Sequence, residues 1–204
     1  MFSNRYIFLC TCENSLVQKE GEIVRKLVEP IKSKADIIKI ENYLKSHKQR
    51  DYVIWVLGLN SGLRVSDIVG LNVCDVLNKS HIEIQEKKTG KRKKFLINRK
   101  LRTVLDDYTR GKDINTPLFV GKHGKRLNKK EVYRFINKAC EEIGIKVNAG
   151  THTMRKTFGY HHYQKYKDPV ILQKIFNHSS QRITLMYIGV EQDEIDFSYK
   201  NFEL

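Results

Sequence analysis

The chain has 204 residues, 40% of them hydrophobic and 30% charged, enough apolar mass for one ordinary domain plus an appendage under a well-solvated surface. Lys and Arg number 38 against 23 Asp and Glu, a formal charge of +15, well outside the roughly 2–8 usual for a small domain. That excess selects polyanions as partners, nucleic acid foremost. It argues against a membrane protein, since the longest uncharged stretch, Tyr52 to Leu63, is too short to span a bilayer and is broken by Gly58, Asn60 and Gly62. Tyr6-Ile7-Phe8-Leu9-Cys10 is likewise too short for a signal core. The cysteines Cys10, Cys12, Cys74 and Cys140 form no CxxC pair and no disulfide framework, so free thiols in a reducing cytoplasm are expected.

Residues 1–30 carry no convincing period and read as a loose leader, a domain remnant, or a short strand and helix; Pro30 marks the boundary. Residues 31–204 read as one domain. Ser33 caps a helix with Ile37, Ile40, Tyr43 and Leu44 near one face. A second apolar helix covers about 48–60 and breaks at Gly62, and a short third runs from about Val65 to Leu71. The period then changes to two. Ile82 and Ile84 alternate with Glu83 and Gln85 in a strand, Lys88-Thr89-Gly90-Lys91 is the turn, and Phe95-Leu96-Ile97 lies in the returning strand. Asn98 caps a helix to about Tyr108, Gly121 and Gly124 make a loop, and Asn128 with Glu131 forms a capping box for a helix ending at Gly144. Thr151 is the expected cap of the next helix. Asp168-Pro169 starts another, which Asn177 ends, and Ser179 or Ser180 caps the helix carrying Tyr187. The fold class expected is mainly α with a small antiparallel β-sheet (α+β).

One constellation carries chemistry. His152 and Arg155 are three apart and share a helix face in its first turn, where backbone N–H groups also favour an anion. Gly62 lets the chain turn sharply before Arg64, whose planar guanidinium matches two phosphate oxygens and never loses its charge. His178 lies at a helix–helix turn nine residues before Tyr187. A phenol, with a reference pKa of about 10, needs a neighbouring base or positive field to attack at neutral pH. The run Lys87, Lys88, Lys91, Arg92, Lys93 and Lys94 is a charge cluster suited to phosphate attraction, and Lys125, Arg126, Lys129 and Lys130 flank a helix start as backbone contacts that read no bases. His161 and His162 do not make a metal site with His152, because no cysteine or carboxylate stands at ligand spacing and adjacent helical residues point about 100° apart.

In this order and spacing the residues resemble the tyrosine recombinase (phage integrase) family. The resemblance rests on Gly62-Leu63-Arg64-Val65-Ser66-Asp67-Ile68, on Lys88 within Lys88-Thr89-Gly90-Lys91, on His152-Thr153-Met154-Arg155, and on Phe176-Asn177-His178 followed by Tyr187. It covers about residues 33–190 and implies the tyrosine-recombinase catalytic-domain fold over residues 31–204. It also implies a mechanism. Tyr187 attacks the scissile phosphate of double-stranded DNA to form a 3′-phosphotyrosine. Arg64 and Arg155 grip the non-bridging oxygens, His178 donates a further hydrogen bond, and His152 accepts the tyrosine proton. Lys88, with Lys87 as its rival, protonates the leaving 5′-oxygen. One phosphodiester is exchanged for another, so neither ATP nor metal is required. A homotetramer on two DNA sites follows from the need for four cuts, with accessory DNA-bending proteins and a cytoplasmic, nucleoid-associated setting as companions. Integration, excision or inversion for a mobile element are the processes implied.

Two departures stand out. Phe176-Asn177 replaces the usual Leu-Gly before the histidine, and asparagine is the best substitute for glycine in a left-handed cap. The N-terminal helical clamp domain of most members has no room here, though short fimbrial invertases are also single-domain. The alternatives are a non-catalytic DNA-binding remnant of an integrase, and type IB topoisomerase-like relaxation.

Overall fold

The computed structural model describes residues 16–19, 22–25, 28–86 and 90–203. A hairpin of β1 (Leu16–Lys19) and β2 (Glu22–Arg25) comes first, where the sequence has no clear period. Residues 28–31 then form a strap on the later part of the chain. Glu29 N–H bonds Asn148 O at 3.2 Å, and Ile31 N–H bonds Thr157 Oγ1 at 2.9 Å.

Helix α1 (Lys34–His47) starts at Ser33, whose hydroxyl accepts from Asp36 N–H at 3.1 Å. Helix α2 (Gln49–Ser61) buries Val53, Ile54, Trp55, Val56 and Leu57 in succession, so it is apolar on all sides and forms the axis of the main core. It ends at Gly62, whose φ of 61° is left-handed, and α3 (Val65–Ile68) begins directly after Arg64. Strands β3 (His81–Gln85) and β4 (Arg92–Leu96) pair antiparallel, with Ile82 opposite Phe95 and Ile84 opposite Lys93. Helix α4 (Arg99–Thr109) is capped by Asn98, and α5 (Lys129–Glu142) by the Asn128–Glu131 capping box.

The second half of the chain stacks short helices on α6 (Thr153–Tyr166): α7 (Pro169–Phe176), α8 (Gln181–Ile188) and α9 (Glu191–Lys200). Tyr163, Leu172, Phe176, Ile188 and Val190 pack there as a second apolar cluster. Asp168 caps α7, and Ser180 rather than Ser179 caps α8 through Ile183 N–H at 3.2 Å. Thr151 does not cap α6: His152 occupies that position with no side-chain cap, while the hydroxyl of Thr153 turns back to accept from Gly150 N–H at 2.8 Å. The observed architecture is mainly helical with small antiparallel two-stranded sheets. No helix among the described residues is long and apolar enough to cross a membrane.

Close approach of α8 to α6 depends on Gly159. A Cβ there would fall 2.6 Å from Ile188 Cγ2 and 2.7 Å from the Phe176 ring. Gly159→Ala should therefore overpack the second cluster and lower stability by about 1–3 kcal/mol, read as a lowered midpoint in urea denaturation; an unchanged midpoint would show that α8 is not seated as described.

Candidate active site

The site lies where the main core meets the second apolar cluster, and Arg155 is its hub. Its side chain is 2% exposed. The guanidinium donates through Nη1 to Gly62 O and through Nη2 to Phe176 O at 2.9 Å, and it lies 4.3 Å from the centroid of the Phe176 ring. Burial pushes its pKa down, while Tyr187, close enough for a side-chain hydrogen bond, pushes it up.

Tyr187 reaches this hub from α8. Its hydroxyl lies 3.1 Å from His152 Nδ1, and its ring stands edge-on to the rings of His152, Phe176 and His178. The Lys156 ammonium is 5.0 Å from the centroid of the same ring. His178 follows the left-handed Asn177 (φ 53°) and closes the end of α7 by donating its N–H to Gln173 O at 3.1 Å. Its Nδ1 is 3.1 Å from Thr184 Oγ1. Burial, then the positive charges of Arg155, Arg64 and Lys93, bring the His178 pKa down to about 4, so the ring is neutral near pH 7.

Arg64 enters from the opposite side, ion-paired to the buried Glu86 at 2.8 Å. The structure thus brings Arg64, His152, Arg155, His178 and Tyr187 together. Lys87 and Lys88 lie outside the described residues. Of the other hairpin cations, Arg92 is exposed, whereas Lys93 turns inward to within 3.7 Å of Glu86. Lys91 donates to Asn177 Oδ1 at 3.0 Å, which ties the hairpin to the end of α7 and gives this asparagine a function that glycine lacks. Lys125, Lys129 and Lys130 are exposed around the start of α5. Arg126 is exposed as well and also has a structural task. Its Nη1 donates to Val69, Gly70 and Leu71 carbonyls at 2.7–3.2 Å and its Nη2 to Asn72 Oδ1 at 2.6 Å, which closes the turn after α3. His161 Nε2 is 3.0 Å from Ile31 O, so its ring helps anchor the strap.

Glu86, Lys156 and Thr184 were not legible as site residues from motif spacing alone. Strand period does carry a signal for Glu86, two residues beyond Ile84 on the face that Ile82 buries.

A tyrosine hydroxyl delivered to a histidine and a buried arginine by this helical scaffold defines the catalytic domain of a tyrosine-type recombinase. The family model described as the phage integrase family matches residues 31–194, and the chain belongs to that family. It is 42% identical over 177 residues to a Bacillus subtilis (strain 168) protein named probable integrase/recombinase YoeC, covering 86% of this chain and 97% of that one. It is 31% identical over 155 residues to tyrosine recombinase XerC of Thermodesulfovibrio yellowstonii, covering 70% of this chain but only 51% of the relative, about half its length. Among solved structures, XerA recombinase superposes with a TM-score of 0.71 at 21% identity over 87% of this chain and 68% of that one. XerH bound to a palindromic difH substrate gives 0.67 at 17% identity over 83% and 51%. These two show the shared fold.

The His178 pKa has a measurable consequence. It lies below the unfolded value of 6.5, so the unfolded chain takes up this proton first as pH falls. The contribution of His178 to stability is complete above about pH 6.5 and is lost as pH falls toward about 4. In ring NMR of the DNA-free protein, His178 should titrate near 4; a midpoint near 6.5 would contradict the burial and the cationic field described.

Proposed function

We propose that the chain cleaves and rejoins DNA strands through a 3′-phosphotyrosine on Tyr187. The observation that carries this reading is the 3.1 Å approach of the Tyr187 hydroxyl to His152 Nδ1 beside the Arg155 guanidinium. The phenol O–H donates to the imidazole, which takes the proton as Tyr187 attacks the phosphorus. Arg64 and Arg155 offer N–H donors and fixed positive charge to the non-bridging oxygens, where charge builds in the transition state. When the Thr184 hydroxyl proton leaves Ser180 O, to which it donates at 3.2 Å, and turns to His178 Nδ1, the neutral ring presents Nε2–H as a further donor without adding a buried charge. Lys88, or Lys87 beside it, protonates the leaving 5′-oxygen. A second 5′-hydroxyl then attacks the phosphotyrosine, so the number of phosphodiesters is conserved and no ATP is consumed.

The substrate we infer is double-stranded DNA. The +15 charge supplies a sequence-independent attraction, and the exposed Lys125, Lys129 and Lys130 add backbone contacts. Exchange between two duplexes requires four cuts, so the proposed working form is a homotetramer on two DNA sites, with accessory DNA-bending proteins where the sites must be brought together. The proposed setting is the cytoplasm, at the nucleoid. The 31–204 segment acts as the catalytic domain, and the proposed service is to a mobile element or an invertible segment.

The test uses nicked duplexes tiled across the genomic flanks of the gene. Wild-type protein should give a denaturant-resistant complex that Tyr187→Phe loses while still shifting the duplex in a gel; a complex that survives Tyr187→Phe overturns the assignment. On a duplex that reacts, Arg64→Ala should slow adduct formation by roughly 10²–10³. A supercoiled plasmid carrying two copies should yield exchanged products; relaxation alone would point to topoisomerase-type religation.

A further inference from the structure

Among the described residues of the basic hairpin, Lys93 differs from its neighbours. Lys93 has a side chain 14% exposed, against 60% for Lys94 beside it. The register explains the difference: Lys93 pairs with Ile84, so it shares the inward face of the sheet, while Arg92 and Lys94 face solvent. Burying an ammonium is costly unless an anion meets it. The anion is Glu86, 2% exposed, at 3.7 Å from Lys93 Nζ and 2.8 Å from Arg64 Nη1.

A purely structural ion pair would be expected to stand apart from the phosphate-binding groups. This one does not. Arg64 belongs to it directly. Lys93 feels Arg155 and Arg64 as repulsive neighbours and Asp67 as an attractive one, and burial is the leading cause that brings its pKa down to about 8. His178 in turn feels Lys93. Three cations therefore lie close enough to feel one another: Arg64 and Lys93 are paired to a carboxylate that is itself out of solvent, and Arg155 is held by backbone carbonyls. Without Glu86, Arg64 and Lys93 would lose the anion that offsets their repulsion of each other and of Arg155.

We propose that Lys93 is a further phosphate-gripping residue of the cleavage site and that Glu86 is the positioning residue that holds Lys93 and Arg64 together before DNA arrives. The proposal rests on the strand-cleavage reading above and extends it to two side chains that reading does not use. Lys93 acts as fixed charge on a non-bridging oxygen; it does not hand a proton to the leaving 5′-oxygen. Glu86 makes no contact with DNA and acts through Arg64 and Lys93.

The experiment uses the full chain and the nicked duplex identified as reactive, in single turnover, with binding measured separately by fluorescence anisotropy. Glu86→Gln should slow covalent-adduct formation by roughly tenfold or more while leaving affinity for the duplex equal or tighter, because a negative charge has been removed. Glu86→Asp should recover part of the rate. Lys93→Met should slow the adduct by roughly 10²-fold. A duplex with sulfur in place of the scissile 5′-bridging oxygen separates gripping from proton donation, since a thiolate leaves without a proton. Lys93→Met should stay slow on it; recovery there would overturn the gripping role. A Glu86→Gln protein that cleaves at the wild-type rate, or that loses binding and rate in equal measure, would overturn the positioning role. Unfolding midpoints in urea accompany each variant, and the Glu86→Asp and Lys93→Arg forms carry the test if a neutral variant does not fold; Lys93→Arg should keep more of the rate than Lys93→Met. Failure of the wild-type protein itself to form an adduct would remove the strand-cleavage reading and this inference together.

Discussion

A buried guanidinium with two of its five N–H donors on backbone carbonyls holds this site together. Arg155 is bound to Gly62 O and Phe176 O, and each of those residues stands two positions before another site residue, Arg64 and His178 respectively. One side chain thus fixes where the chain leaves α2 and where it leaves α7. Its own helix is preceded at the cap position by His152, which meets Tyr187. An uncompensated charge at 2% exposure would be strongly unfavourable, so the two loops cannot drift from their places without a large penalty. The same residue that brings a buried positive charge also fixes the frame in which Arg64 and His178 are presented.

The joints of that frame are left-handed residues at helix ends. Gly62, Asn177 and Gly189 each turn the chain at the close of α2, α7 and α8. At Gly62 a side chain would also run into Phe158, 2.6 Å from an added Cβ. Asn177 tolerates the turn because its short amide fits the left-handed region, and it adds a bond to Lys91. The hairpin is thereby tied to the histidine turn across a long sequence separation, and Lys91 and Lys93 are held toward the site.

Electrostatics in the DNA-free protein are those of a site prepared for an anion. Arg64, Arg155 and Lys93 converge, and Glu86 and Asp67 are buried beside them. Two effects share a cause. The cations hold His178 neutral, and they would stabilise negative charge on a phosphate or a phenolate within the same volume. A bound phosphodiester would relieve the mutual repulsion, so preorganisation of the charges is held by the carboxylates until DNA replaces part of that task. The Lys156 ammonium over the Tyr187 ring adds positive field at that side chain.

Local signals in the sequence were enough for most of the elements. Ser33, Asn98, Asn128, Asp168 and Ser180 cap helices because a short polar side chain satisfies the first free N–H groups, a rule that needs no tertiary knowledge. The motif order around Arg64, His152, Arg155, His178 and Tyr187 was legible for the same reason: spacing along helices and turns is a local property. Thr151 failed as a cap because the strap and the turn at Gly150 set the start of α6 at Thr153, which is a tertiary matter. The structural task of the exposed Arg126 was not readable, because nothing nearby in sequence reveals the carbonyls of Val69, Gly70 and Leu71 that it serves. Which lysine of a basic run turns inward was decided by strand register and by Glu86. The chain's own pattern therefore determined the helices, the turns and which side chains stand at the ends of those elements. Only the folded arrangement decided which charges are buried, because burial and pairing depend on residues distant in sequence meeting across the junction of the two cores.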